Sequence, residues 1–291
     1  MPAAAGAVPV GDTGGDSLKF LGTAGARFAV STQLRHSGGL VWSLAGFTLW
    51  VDPGPGALVR ALSSRPRVDP RRVDAVLVSH RHLDHCGDAT AAVEAMTEGG
   101  SARRGALLAP RDALEAEPVV FRYAQAFPAR RLVLEEGGEV RLAPDLALST
   151  PLAHDHGTET FGYRLRAPGL VAAHVTDTFW MDALPEAYGG VDVLVVNATR
   201  LRGGDRRLLH LGWDDAERLV AAVRPRAALL THFGVPVIQG APEDRAREMT
   251  DRLGIPVIAA RDGMAVPLGD LAGLAGRAAA QRSHRGRSAT P

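Results

Sequence analysis

The chain is 291 residues long, 46% hydrophobic and nearly neutral at +1, enough apolar material for a large core in one domain or two. Balanced charge with no aromatic interleaving in the basic runs argues against a nucleic-acid face, and no apolar run approaches the length of a membrane span. A single cysteine, Cys86, excludes an internal disulfide and a cysteine-built structural zinc site and suits a reducing compartment.

Residues 1–17, rich in Ala, Gly and Pro, read as a disordered tail without the basic start and apolar stretch of a signal peptide, so a cytoplasmic location is expected. Leu18–Gly22 reads as a first strand. Gly39–Leu44 and Phe47–Val51 follow as a hairpin, which Asp52-Pro53-Gly54-Pro55-Gly56 ends abruptly, leaving the Asp52 carboxylate at a strand end. Ala57–Leu62 has helical character, and Ala75–Val78 is a short apolar run of the kind found in buried strands.

Ser79-His80-Arg81-His82-Leu83-Asp84-His85 comes next, on a strand-to-helix turn. Two residues apart on extended backbone, His80 and His82 point the same way and can share one cation. Asp84 and His85 follow the turn and aim elsewhere, so the spacing suggests two metals side by side. Imidazole with carboxylate suits Zn, Mn or Fe better than Ca or Mg. Cys86, beside this run, reads as a small buried residue, with a soft ligand or an oxidation target as the alternative.

A helix is expected over Asp84–Met96, a strand over Leu107–Ala109, a short helix over Arg111–Glu117, and three short strands at Leu132–Leu134, Glu139–Leu142 and Leu146–Ser149. His154-Asp155-His156 stands just before a strand at Phe161–Leu165, and either histidine could join the first metal. Glu159 reads as a substrate contact or a solvated loop residue. A strand at Val171–Val175 ends at Thr176-Asp177-Thr178; His174, inside it, reads as packed. The buried strand Val191–Asn197 leads into the basic loop Arg200–Arg207, either an anion-steering rim or a solvated turn. His210 lies just ahead of a helix that Asp214 can cap, with Ala216, Leu219, Val220 and Val223 on one face, a place suited to an anion. His232 follows the strand Ala228–Thr231. Pro242–Leu253, closed by Gly254, is a helix, and Ile255–Ala259 and Met264–Val266 are the last strands. Residues 269–291 read as a disordered basic tail.

The run His80-x-His82-x-Asp84-His85 matches the signature of the metallo-β-lactamase superfamily, and the resemblance extends over about Leu18–Leu268. It implies an α/β fold, a four-layer αββα sandwich, in a single hydrolase domain over 18–268. It further implies that Asp52 orients the metal-binding loop, that Asp177 bridges two divalent metal ions, Zn or Mn, and that His232 serves the second one. The start, Phe20-Leu21-Gly22-Thr23-Ala24-Gly25, with Asp52-Pro53-Gly54 and Thr160-Phe161-Gly162-Tyr163, resembles the branch containing tRNase Z and a bacterial cyclic-phosphate phosphodiesterase. By that likeness His156 is the third-motif ligand, His154 lies behind the ligands or faces substrate, and His210 is a general acid or phosphate contact, with Asp84 also in the catalytic set. Only a hairpin fits between His156 and Asp177, where tRNase Z carries a long arm, so the expected substrate is a small phosphodiester rather than tRNA. Two cations roughly 3.5 to 4 Å apart can hold a hydroxide between them, the expected nucleophile. A thioester or lactone hydrolase and a non-catalytic metal-binding accessory protein are the other readings, and the resemblance allows a homodimer.

Overall fold

The computed structural model describes residues 15–281. The first half contributes strands β1 (Ser17–Phe20), β2 (Leu40–Leu44), β3 (Phe47–Val51), β4 (Ala75–Leu77), β5 (Ala106–Pro110) and β6 (Arg130–Leu134), with helices α1 (Ala26–Ser31), α2 (Ala57–Ser63), α3 (Leu83–Cys86) and α4 (Ala89–Met96). The second contributes β7 (Gly138–Ala143), β8 (Leu146–Thr150), β9 (Tyr163–Ala167), β10 (Leu170–Val175), β11 (Val193–Asn197), β12 (Ala227–Thr231) and β13 (Val257–Ala259). With them run α5 (Leu184–Ala187), α6 (Trp213–Val223), α7 (Val235–Gln239) and α8 (Pro242–Leu253); β14 (Ala265–Pro267) and α9 (Gly273–Ala280) follow. Two seven-stranded sheets result, ordered β14-β1-β2-β3-β4-β5-β6 and β13-β12-β11-β10-β9-β8-β7.

Strand periodicity explains the layering. In β1 to β3 the alternate residues Leu18, Phe20, Leu40, Trp42, Leu44, Leu49 and Val51 face the other sheet, where Leu148, Tyr163, Leu165, Ala172, Val195 and Leu229 meet them. The intervening Val41 and Trp50 face outward onto Ala57, Ala61, Ala92, Val93 and Met96 of α2 and α4. Behind the second sheet, Leu194, Val196, Ala228 and Leu230 pack on Ala216, Leu219, Val220, Ala246 and Met249 of α6 and α8. The order of layers is therefore helix, sheet, sheet, helix. A buried hydrogen bond, Trp42 Nε1–H to Tyr163 OH at 2.8 Å, crosses the central layer. Among the described residues no helix is long and apolar enough to cross a membrane.

β3 to β6 run parallel, as do β10 to β13. Residues just past the carboxyl ends of β3, β4, β10, β11 and β12 can therefore converge on one place, the usual location of a ligand site in such sheets.

Several expectations need correction. The helix expected over Asp84–Met96 is two helices, because the chain turns at Gly87-Asp88: Asp88 N–H donates to the Pro53 carbonyl, and its carboxylate accepts from Leu58 N–H. The residues from 269 onward are not a tail throughout. Leu271, Leu274 and Ala278, at helical spacing, bury in the central core, and Gln281 pairs with β13 through Ala259 N–H and the Val257 carbonyl. An Ala- and Gly-rich composition hid that short apolar stripe. Residues 282–291 lie outside the described residues, as do 1–14 of the expected N-terminal tail; β1 begins at Ser17. Helices α1, α5 and α7, each six residues or shorter, escaped the sequence analysis.

Candidate metal centre

Asp52 is the first part of the site. Its backbone turns through φ 52° immediately after β3, a left-handed conformation that Asp tolerates better than most residues. The carboxylate is thereby turned toward the end of β4. It accepts Ser79 N–H at 2.7 Å, Ser79 Oγ–H at 2.8 Å and His85 Nδ1–H at 2.9 Å. Ser79 Oγ, having given its proton to Asp52, accepts from His80 Nδ1 at 3.0 Å. His80 and His85 thus each have Nδ1 committed and Nε2 turned into the cluster, toward His82 and Asp177 respectively.

The same device fixes His156: Nδ1–H donates to the Leu209 carbonyl at 2.8 Å, leaving Nε2 with a lone pair. His82 Nδ1 lies 3.0 Å from both His80 Nε2 and His156 Nε2. Three ring nitrogens therefore converge where at most one proton could sit.

Around the corner, Asp84 Oδ2 lies 3.3 Å from His232 Nε2 and 3.8 Å from His85 Nε2. His232, also in the left-handed region at φ 59°, directs its ring inward, where Nδ1 meets Thr199 Oγ1 at 3.0 Å. Asp177 lies between the two groups. Its Oδ2 is 3.2 Å from His85 Nε2, 3.6 Å from His156 Nε2 and 3.9 Å from His80 Nε2, and its Oδ1 is 3.2 Å from His232 Nδ1. Asn197 Nδ2–H donates to Oδ1 at 2.9 Å while Asn197 Oδ1 accepts from His174 Nε2–H at 2.8 Å.

The electrostatics suit cations. Burial pushes His80 and His82 below the ordinary histidine range, so both hold lone pairs at neutral pH. Burial opposes charge on His85 too, but Asp52, Asp84 and Asp177 outweigh it and hold that ring well above the ordinary value. Burial likewise works against ionising Asp84 and Asp177, yet their histidine neighbours keep both carboxyls below the usual range. Among the described residues the buried His232 Nε2 and His210 Nδ1 have no hydrogen-bond partner. Converging lone pairs, ionised buried carboxylates and orphaned ring nitrogens fit a divalent-metal site, in which His80, His82 and His156 form one donor group and Asp84, His85 and His232 another, with Asp177 facing both.

The other residues singled out in the sequence sort as follows. His154 stays behind the cluster: Nδ1–H donates to the Asp177 carbonyl at 3.2 Å and Nε2 accepts from Tyr188 OH at 2.7 Å, with burial pushing its pKa down to about 3. His210 approaches more closely than a distant acid would, with Nδ1 3.6 Å from Asp177 Oδ2, and burial lowers its pKa to about 4. Glu159 is exposed and accepts from Asp112 N–H, away from the donors. Cys86 packs with the α2 and α4 layer, its thiol raised to about 11 by burial. In the basic loop, Arg206 stacks over Phe179 at 4.6 Å and pairs with Asp155 at 3.6 Å, which brings it to the rim. The sequence assigns Ser79, within the histidine run, no role of its own, and does not single out Asn197, Thr199 and Tyr188 as site residues. A polar residue closing the otherwise apolar strand Val193–Asn197 was the one legible signal among them.

Residues 48–233 match the family model described as the beta-lactamase superfamily domain. An uncharacterized protein of Methanocaldococcus jannaschii is 32% identical over 257 residues, covering 86% of this chain and 94% of its own. A protein named ribonuclease Z from Kineococcus radiotolerans is 31% identical over 159 residues, 52% of this chain and 48% of its own. A UPF0173 metal-dependent hydrolase of Anaeromyxobacter is 28% identical over 249 residues, covering 78% and 83%. Among solved structures, a metallo-beta-lactamase fold protein of Bacillus subtilis superposes with a TM-score of 0.71 at 18% identity, covering 86% of this chain and 98% of that one. A diphosphatase of the PhnP family gives 0.64 at 20% identity, covering 86% and 96%. The chain belongs to the beta-lactamase superfamily and has the fold and the histidine–aspartate cluster of a metal-dependent hydrolase of the metallo-β-lactamase type.

Proposed function

We propose that the chain is a dinuclear metal-dependent hydrolase of a small phosphodiester, cyclic or nucleotide-type. The observation that carries this reading is the pair of adjoining donor sets, His80, His82 and His156 beside Asp84, His85 and His232, with Asp177 facing both. A carboxylate in that place offers one oxygen to each of two cations and reduces their mutual repulsion, and the donor types suit Zn or Mn. When bound, such cations supply an activated water and Lewis-acid stabilisation of an ester's oxygens.

The protein's own residues supply the rest. Asp52, through Ser79 and His85, and the Leu209 carbonyl, through His156, hold the imidazoles in the tautomers that ligation needs. His210, beside the cluster, is placed to touch a phosphoryl oxygen and to pass a proton to the departing alkoxide. Burial keeps the free ring neutral at neutral pH, so the negative charge of a bound phosphodiester is what lets it take up that proton. Arg206 at the rim favours an anionic substrate. Only the β9–β10 hairpin separates His156 from Asp177, which leaves no arm for a tRNA. The names of two similar proteins, a ribonuclease and a diphosphatase, both denote cleavage at phosphorus.

One observation favours a second reading, a thioester or lactone hydrolase: a neutral His210 is no handicap when the leaving group needs little protonation. Hydrolysis of bis(p-nitrophenyl) phosphate by protein loaded with Mn or Zn, against a metal-stripped control, separates the two. Metal-dependent turnover that falls about 10²-fold in His210→Ala supports the phosphodiesterase. No turnover with either metal, alongside good thioester or lactone cleavage that His210→Ala leaves intact, transfers the assignment to the carbonyl ester.

A further inference from the structure

A second cavity, of about 820 Å³, opens at the opposite end of the first sheet, where β1 and β3 begin and β2 ends. Thr48 on its wall lies near the start of the strand that Asp52 follows, so about 13 Å of β3, four residues at about 3.3 Å each, separates it from Asp52 at the metal centre.

Its wall is strongly basic. Of the three carboxylates there, Asp69 is spent on Arg71 at 2.8 Å and Asp74 on Arg104 at 2.9 Å, while Asp16 accepts from Ala45 N–H. Lys19, Arg67 and Arg72 also line the cavity, and none of them has an ion pair among the described residues. Lys19 is the member that points to a ligand. It is 5% exposed, yet among the described residues its ammonium meets only the carbonyls of Arg65 at 3.0 Å and Gly263 at 3.4 Å. A buried lysine ordinarily has a counter-charge. Burial and then the charge of Arg60 disfavour its protonated form, and the Nε of Arg60 is itself buried without a partner among the described residues. A strand position that tolerates this arrangement gains most when negative charge arrives from outside the chain.

We propose that this cavity binds a phosphate-bearing small anion of nucleotide size, at a site separate from the metal centre, with Lys19, Arg67 and Arg72 taking the phosphate oxygens. Lysine and arginine donors match those oxygens in charge and geometry. The volume falls among small-molecule sites, about 300 to 1,000 Å³, and the hydroxyls of Ser43 and Thr48 stand on the same wall for the remainder of the ligand. The assignment holds whichever ester the metal centre cleaves.

Isothermal titration calorimetry of the full, metal-loaded chain tests it, with AMP and inorganic phosphate as probes in separate arms; neither is a diester. AMP binds the wild type, more tightly than phosphate does and less tightly as salt rises. Lys19→Met and the double variant Arg67→Ser, Arg72→Ser each weaken it by about tenfold or more, the loss of at least one charge-assisted contact. Arg67 and Arg72 are exposed and have no ion pair among the described residues, so the double variant keeps its fold even if Lys19→Met does not. His82→Ala, which disrupts the metal centre, leaves AMP binding unchanged. The proposal is overturned by AMP binding that is lost in His82→Ala but kept in the double variant, by phosphate binding as tightly as AMP, or by the absence of AMP binding at millimolar concentration.

Discussion

Replacing Asp52 by Asn removes one negative oxygen while keeping size and shape, so it isolates the role of that carboxylate. Asp52 is 5% exposed and accepts three hydrogen bonds, from Ser79 N, Ser79 Oγ and His85 Nδ1. An amide keeps one acceptor, which Ser79 N–H can retain, and turns a donor toward the other two groups. The Ser79 hydroxyl can rotate to accept, but His85 faces donor against donor unless its proton moves to Nε2. That nitrogen is the one that looks into the cluster, 3.2 Å from Asp177. Either outcome costs something definite. A buried donor left unpaired is worth about 1 to 3 kcal/mol of stability, and a displaced orienting partner weakens metal binding by about 10- to 100-fold, roughly 1.4 to 2.7 kcal/mol. Competition of Zn or Mn against a chromophoric chelator measures the second quantity. The expected result is one equivalent weakened in this range and the other, held by His80, His82 and His156, affected less. Thermal unfolding of metal-stripped protein measures the first, and a fall of several degrees is expected. Two unchanged equivalents and an unchanged melt would refute the claim that Asp52 holds the site through His85.

Tyr163→Phe removes the partner of the buried Trp42 Nε1 and should cost about 1 to 3 kcal/mol in denaturant unfolding with no change in metal stoichiometry; a neutral variant would show that the bond across the two sheets contributes little. Leu274→Ala should cost about 2 to 5 kcal/mol if α9 is docked in the central core, since Leu274 is fully buried, and a melt indistinguishable from wild type would detach that helix. Cys86, its thiol raised to about 11 by burial, should react with iodoacetamide at pH 8 about 10²-fold more slowly in the native protein than after unfolding. The sign follows from the shift: a raised thiol pKa leaves less thiolate at any pH below it, so native labelling should keep accelerating well above pH 9, and equal rates in both states would contradict the packing described for this residue.

What the sequence determined by itself is whatever depends on neighbours in the chain. Four donors between His80 and His85 meet because a strand end followed by a helix start places them, and most strands and the helix ahead of which His210 stands follow from short-range periodicity, while the αββα class came from the resemblance that the His80–His85 run carries. Asp52, Asp177 and His232 stand at strand ends and His156 ahead of one, where taken alone a turn aspartate or a surface histidine looks the same, so their roles came from the family resemblance and not from local pattern. Tertiary structure alone decided that these ends coincide: parallel β3 and β4 in one sheet and β10 to β12 in the other open their carboxyl ends toward a common point. It also decided the tautomers, since the Leu209 carbonyl reaches His156 across 53 positions and Asp52 reaches His85 across 33. The docking of Leu271, Leu274 and Ala278 belongs with these, as three apolar side chains in a poor composition gain a place only from the core they complete. Local pattern reports which element forms; which atoms face one another is set by sheet register and layer packing, and those are long-range quantities.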